Sequence, residues 1–166
     1  WVSERAITVL VLVMVLVAAT GVGAHGAARP AGERRPAAEA TSDSCNPNTD
    51  TMSAHDAARH LMAGRYKLGH HPLVRLGRRP TWAEDPLHDR NWRERLHMLR
   101  FLNALMMEWQ DSGDPRYRDR ALELVRSWIA HNPRSDPASA YSWGDHATAW
   151  RTITLVCIAR MLPPTG

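Results

Sequence analysis

The chain has 166 residues, 44% of them hydrophobic, with 21 basic against 17 acidic side chains and a formal net charge of +4 at pH 7. These residues hold at most one small domain, and the mild, mostly arginine excess contains no Lys/Arg block. A nucleic-acid-binding arm is therefore excluded, whereas an acidic partner is permitted without being required.

Residues 1–24 read as a secretory signal peptide. Arg5 marks a short basic lead, Ala6 to Ala19 is apolar, and Val22-Gly23-Ala24 offers a small-residue cleavage site. The apolar run is short for a bilayer span, so no stable membrane span is expected after cleavage; an uncleaved N-terminal anchor is the other reading. Cleavage leaves the charge at +4, because Glu4 and Arg5 leave together. Export would place the chain outside the cell or in its envelope or periplasm. Residues 25–44 are Ala, Pro, Gly and charge, including Glu33-Arg34-Arg35-Pro36, and read as a disordered linker. The foldable part is 45–166.

A first helix is expected over Ser53–Ala63, opened by a Ser53/Asp56 capping pattern and stopped at Gly64. Arg65 to Pro80 mixes apolar residues with Gly69, Pro72 and Gly77, which predicts an extended or hairpin segment. Trp82-Ala83-Glu84-Asp85-Pro86 follows as a loop. One long helix is then expected from Arg90 to Gln110. Trp92, Leu96, Leu99, Leu102, Met106 and Trp109 form its apolar arc, with Arg93, His97 and Arg100 on the polar side. Asp114 and Pro115 supply a cap and a first helical residue for the next helix, where Tyr117, Ala121, Leu124, Val125 and Trp128 share the core face. Arg120, Glu123 and Ser127 lie opposite, and Asn132-Pro133 ends the helix. A last helix, Asp145 to Leu162, has an almost wholly apolar second half from Ile153 to Ile158, which predicts burial on more than one side. The fold class is all-α with a short extended segment before the long helices.

Cys45 and Cys157 are the only cysteines. Export would permit a bridge, but a polar lead-in and an apolar helix favour two separate thiols. The doublet His70-His71 lacks a third ligand at metal spacing, so no metal site and no cofactor are expected.

Six of the seven tryptophans lie between Trp82 and Trp150, and the stretch Tyr141–Arg151 gathers two indoles, His146, Asp145 and Arg151. Indole faces suit sugar rings, and Arg and His suit the carboxylates of acidic sugars. Trp143, His146 and Arg151, with the loop indole Trp82 as a further candidate, form the expected substrate-binding set. Two readings stand side by side: a sugar platform on one helix face, or indoles packed between helices with Asp145 as a cap. His97 and Arg93 could contact an acidic ligand or line a solvated face.

From Thr81 to Leu162 the chain resembles the N-terminal helical region of the heparinase II/III-type polysaccharide lyases. Trp82-Ala83-Glu84-Asp85-Pro86, Asp89-Arg90-Asn91-Trp92-Arg93, Leu96-His97, Gly113-Asp114-Pro115-Arg116-Tyr117, Trp128-Ile129, Asn132-Pro133, Trp143-Gly144-Asp145-His146-Ala147 and Arg151 carry the likeness. The resemblance implies an incomplete (α/α) toroid from a secreted enzyme that cleaves uronic-acid-containing polysaccharides by β-elimination. That reaction needs donors to neutralise the uronate carboxylate, a Tyr or His base, and an acid for the leaving oxygen. The family's Asn-His pair, Tyr and His have no counterpart in this sequence, which runs only fifteen residues past Arg151. The expectation is a chain with no catalytic residues, inactive alone as a lyase, that holds an acidic polysaccharide and self-associates through exposed apolar helix faces. An alternative is a secreted tetratricopeptide-like interaction module, which requires a fixed repeat that the helical stretches do not show. A small helical protein without enzymatic descent is a third.

Overall fold

A computed structural model of the protein describes residues 45–162, and the expected signal peptide (1–24) and linker (25–44) lie outside them. Helix α1 spans Ala54–Met62. Ser53 caps it, accepting the Asp56 N–H at 3.0 Å while its hydroxyl donates to the Asp56 carboxylate. Gly64 then takes a φ of 72°, where an added Cβ would meet the Gly77 backbone at 2.4 Å. Only glycine can turn the chain there. The turn sets up a small antiparallel hairpin in which β1 (Arg65–Tyr66) pairs with β2 (Val74–Arg75). Among the described residues the remainder of the regular structure is helical, as expected.

The long helix expected over Arg90–Gln110 is two helices, α2 (Arg90–Met98) and α3 (Leu102–Ser112). Leu99 breaks it by adopting the left-handed region, φ 59°. A non-glycine residue held there costs about 1–2 kcal/mol, and what offsets the cost is burial. Leu99, Phe101, Leu102, Leu105 and Met106 are all sequestered from solvent, which an unbroken helix with one apolar stripe could not achieve. α3 is the central helix, packing against α1, against α4 (Pro115–His131) and against α5 (Asp145–Met161). The helix buried on several sides is therefore α3. On α5, Thr154, Cys157 and Ile158 face inward, while Leu155 is 37% exposed and Ile153 and Val156 are half-buried. The helices begin at Ala54, Arg90, Leu102, Pro115 and Asp145, so no fixed period separates them.

Asp114 caps α4 through the Arg116 N–H at 3.0 Å, with Pro115 in the first turn. The face expected to be polar is partly interior. Arg120 is buried, donating to Glu123 and to the Arg78 carbonyl, whereas Tyr117 is only half-buried. An arginine can pass its methylene stem through the core if its head finds acceptors, which hydropathy alone does not register.

The two cysteines are bonded to each other, contrary to the expectation of separate thiols. Backbone contacts pin the polar lead-in against the body: the Gly69 N–H donates to the Asn48 carbonyl at 2.8 Å, and Arg100 Nη2 donates to the Asn46 carbonyl at 3.2 Å. These contacts bring the Cα of Cys45 to 5.6 Å from that of Cys157, within bonding reach. A sequence separation of 112 hid that proximity. No helix among the described residues is long and apolar enough to cross a membrane.

Candidate functional site

The break between α2 and α3 leaves the last carbonyls of α2 without intrahelical partners, and α5 supplies them. Arg151 Nη1 donates to the His97 carbonyl at 2.8 Å and to the Ser142 carbonyl at 2.9 Å, and Nη2 donates to Thr148 Oγ1 at 3.2 Å. The Thr154 hydroxyl is shared between the Met98 carbonyl, 3.2 Å away, and the Trp150 carbonyl. A cation at the C-terminal end of a helix also complements its dipole. The Arg151 guanidinium lies 4.0 Å from the Trp128 ring centroid and 5.0 Å from that of Trp143, between two indole faces. Burial depresses its pKa to about 10, which leaves it charged at neutral pH.

His97 sits inside the same knot, against the expectation of a polar face. Its Nδ1 accepts the Trp128 indole N–H at 3.1 Å. Ser142 donates to Asn132 Oδ1, and Asn132 Nδ2 donates back to the Trp128 carbonyl at 2.9 Å. Burial first, and the Arg151 charge second, depress the His97 pKa to about 4. The imidazole is thus a neutral acceptor. His97, Trp128, Asn132, Ser142 and Arg151 clamp the 134–144 loop onto three helices.

The four residues expected to bind substrate separate accordingly. Arg151 is buried in the knot, where three of its five N–H donors go to the His97 and Ser142 carbonyls and Thr148. Trp143 is half-buried in the turn before α5, edge-on to Trp128 with centroids 5.4 Å apart, and its Nε1 is buried without a partner. Trp82, expected as an exposed loop indole, is 0% exposed. Its φ of 67° swings the ring inward between solvent-exposed neighbours, and Nε1 donates to Ser127 Oγ at 3.0 Å. His146 alone stands at the surface: Nε2 accepts the Trp150 indole N–H at 3.0 Å, and Nδ1 lies 3.9 Å from Glu94. The structure therefore joins Trp143 to Arg151 inside and His146 to Trp150 outside, with Trp82 apart from both.

An open depression of about 380 Å³ lies beside His146, lined by Arg90, Glu94, Tyr141, Gly144 and Asp145 among others. The Arg93 guanidinium covers the Tyr141 ring at 4.5 Å and pairs with Asp85 at 3.2 Å. Arg90 and Glu94 pair across one helical turn at 3.0 Å. The rim thus offers exchangeable donors, an aromatic edge and mixed charge. Such a surface can hold an acidic sugar, whose carboxylate would compete with Glu94 for Arg90. Arg90 and Tyr141 were not among the expected residues, although both stand in stretches that drew attention for other side chains. Tyr66, on β1, is fully enclosed against Phe101, its hydroxyl unpartnered, and burial raises its pKa to about 12. No group of three His, Cys, Asp or Glu side chains among the described residues could hold a metal ion.

A family model described as Heparinase II/III N-terminus matches residues 33–162. No curated protein and no solved structure matches the chain.

Proposed function

This chain belongs to the heparinase II/III family through that family's N-terminal region, and from this premise we propose that it serves a secreted polysaccharide lyase by holding an acidic polysaccharide. In this reading the five helices are the opening turns of an (α/α) toroid, and the depression beside His146 faces the substrate. The observation that carries it is the exposed convergence of His146, Arg90 and Tyr141 on one open surface of a domain matched to this family. Export is supported by the Cys45–Cys157 bond, which suits an oxidising compartment, and by the leader-like pattern of residues 1–24.

Binding is assigned to residues 45–162, and proton transfer is not. β-Elimination needs a base at the carbon next to the uronate carboxylate and an acid at the leaving oxygen. Tyr66 and His97 are enclosed, Tyr141 lies under Arg93, and His146 takes the Trp150 N–H. The half-exposed apolar face of α5, with Leu155 at its centre, and Ile129 on α4, 55% exposed, are the surfaces assigned to self-association.

The test uses the purified full chain and uronate oligosaccharides in titration calorimetry. Arg90→Ala and His146→Ala each weaken binding several-fold, with melting temperature within a degree or two of the parent because both residues are exposed. Unchanged binding in both variants rejects the rim. Release of ultraviolet-absorbing unsaturated ends by the same preparation rejects the assignment of chemistry elsewhere.

A further inference from the structure

A second surface adjoins Trp150 through Arg100, whose guanidinium covers the indole ring. Lys67, Arg95 and Arg100 converge with Asn48, Gly69 and Phe101 around a pit of about 10 Å³, room for a single oxygen atom. Two other cations of α2 have carboxylate partners: Arg90 pairs with Glu94 and Arg93 with Asp85. Lys67, Arg95 and Arg100 have none among the described residues. Lys67 Nζ donates to the His71 carbonyl at 2.7 Å, Arg95 Nε to Asn91 Oδ1 at 2.6 Å, and Arg100 Nη2 to the Asn46 carbonyl. Each keeps further N–H groups after those bonds. Gathering three like charges without a counter-charge is unfavourable, and burial together with the Arg95 charge lowers the Arg100 pKa. The backbone makes room for the arrangement: a Cβ at Gly69, φ 58°, would come within 2.8 Å of Arg95 Nη1.

We propose that this pit is an oxyanion subsite that seats one oxygen of a sulfate or carboxylate group between Lys67, Arg95 and Arg100. An oxyanion supplies the missing negative charge and accepts the fork of N–H donors that the two guanidinium groups present. The pit is too small for a sugar ring, so the ring stays outside and only its charged substituent enters. Trp150 lies next to it, with the Arg100 guanidinium 4.0 Å from its ring centroid. Its indole N–H reaches His146, so contacts run unbroken from the pit to the rim of the depression. An acidic glycan laid across Trp150 would thus meet a charged subsite at one end and the His146 rim at the other. The glycan origin of the oxyanion rests on the polysaccharide reading; the recognition of an oxyanion does not.

The experiment titrates the full chain with sodium sulfate, with sodium acetate, and with sulfated and unsulfated uronate oligosaccharides, at fixed ionic strength. Lys67→Gln and Arg95→Gln change half-buried side chains at the pit, and the melting temperature without ligand reports whether the fold survives. Each variant is expected to weaken oxyanion binding by about tenfold, the usual consequence of losing a charge-assisted hydrogen bond. Preference for the sulfated oligosaccharide identifies sulfate as the group seated, and equal binding of the unsulfated one identifies carboxylate. If both variants bind every ligand as the parent does, or the parent binds neither simple anion, the subsite is rejected. Loss of sulfate binding in the variants, with no oligosaccharide bound by the parent, upholds the pit and rejects the polysaccharide reading. Oligosaccharide binding abolished by His146→Ala and untouched by Lys67→Gln and Arg95→Gln does the reverse.

Discussion

The same side chain can signal a ligand site in a sequence and a structural latch in the fold, and Arg151 is the case in point. Read along the chain it is a guanidinium among indoles; in the structure it caps α2 and ties Ser142 down. Arg151→Met should therefore leave two buried carbonyls unpaired and lower stability by about 3 kcal/mol or more. Urea unfolding measures that loss, and a variant that unfolds like the parent but no longer binds uronate oligosaccharides would restore the ligand role. His97 gives a pH signature. Its pKa is depressed from 6.5 to about 4 in the folded protein, so the unfolded chain takes up a proton first. The stability it contributes is complete above pH 6.5 and is lost as the pH falls from there toward 4. The total at stake is about 3 kcal/mol. The Asp89 carboxyl, held low by its capping bond to Trp92, and the Asp114 carboxyl, held low by the Arg116 guanidinium and then by its capping bond, act only further into acid, because their stabilisation is lost as pH falls through values below 3.8. Stability measured between pH 7 and 4 should slope in the parent and flatten in His97→Gln, and an equal slope in both would remove His97 as the cause. Trp82 shows the limit of the sequence at this scale: its loop is polar and exposed on either side, and only the left-handed backbone turns the ring inward.

At the scale of elements, starts and stops were written in local chemistry and so could be read. Ser53, Asp114 with Pro115, Gly64 and Gly113 end or begin helices where their side chains, or lack of them, require it. The break at Leu99 carries no such mark, because leucine favours a helix and the hydrophobic period continues through it. What decides it is tertiary: α3 must be enclosed by α1, α4 and α5 while α2 keeps its face on α5. The break makes an unusual prediction. In a continuous helix, alanine at position 99 would be more stable than glycine by about 1 kcal/mol. At a left-handed residue the order inverts. Leu99→Ala and Leu99→Gly both lose the buried side chain, but only glycine relieves the backbone, so Leu99→Gly should be the more stable by about 1 kcal/mol. Thermal or urea unfolding of the two variants settles the order, and alanine ahead of glycine would mean that α2 and α3 are one helix. The candidate site was half legible for the same reason. His146 could be picked out from the sequence, whereas its neighbours Arg90 and Tyr141 come from an element and a loop that only the fold brings together.

For the molecule as a whole, the long-range constraint is the bond between Cys45 and Cys157, which joins the polar entry of the domain to α5, its last helix. It closes a loop that contains every other element, so the unfolded chain loses more freedom through it than through any local contact. Across a separation of 112 residues, the chain-entropy account places the stabilisation at about 5 kcal/mol. The bond also holds Asn48, which borders the Lys67–Arg95–Arg100 pit, and Asn46, whose carbonyl accepts from Arg100, since both lie within three residues of Cys45. Reduction should then act twice. The urea midpoint falls on adding a reductant, and falls to the same value in the Cys45→Ser, Cys157→Ser double variant with or without reductant. Oxyanion binding weakens in parallel while the His146 rim, built from α2 and the start of α5, is left in place. Thiol titration of the unreduced protein provides the independent check, because two reactive thiols and a midpoint indifferent to reductant would mean that the cysteines do not pair. A lowered midpoint with oxyanion binding intact would keep the bond and detach it from the pit, with the Arg100 contact to Trp150 sufficient to hold the guanidinium in place.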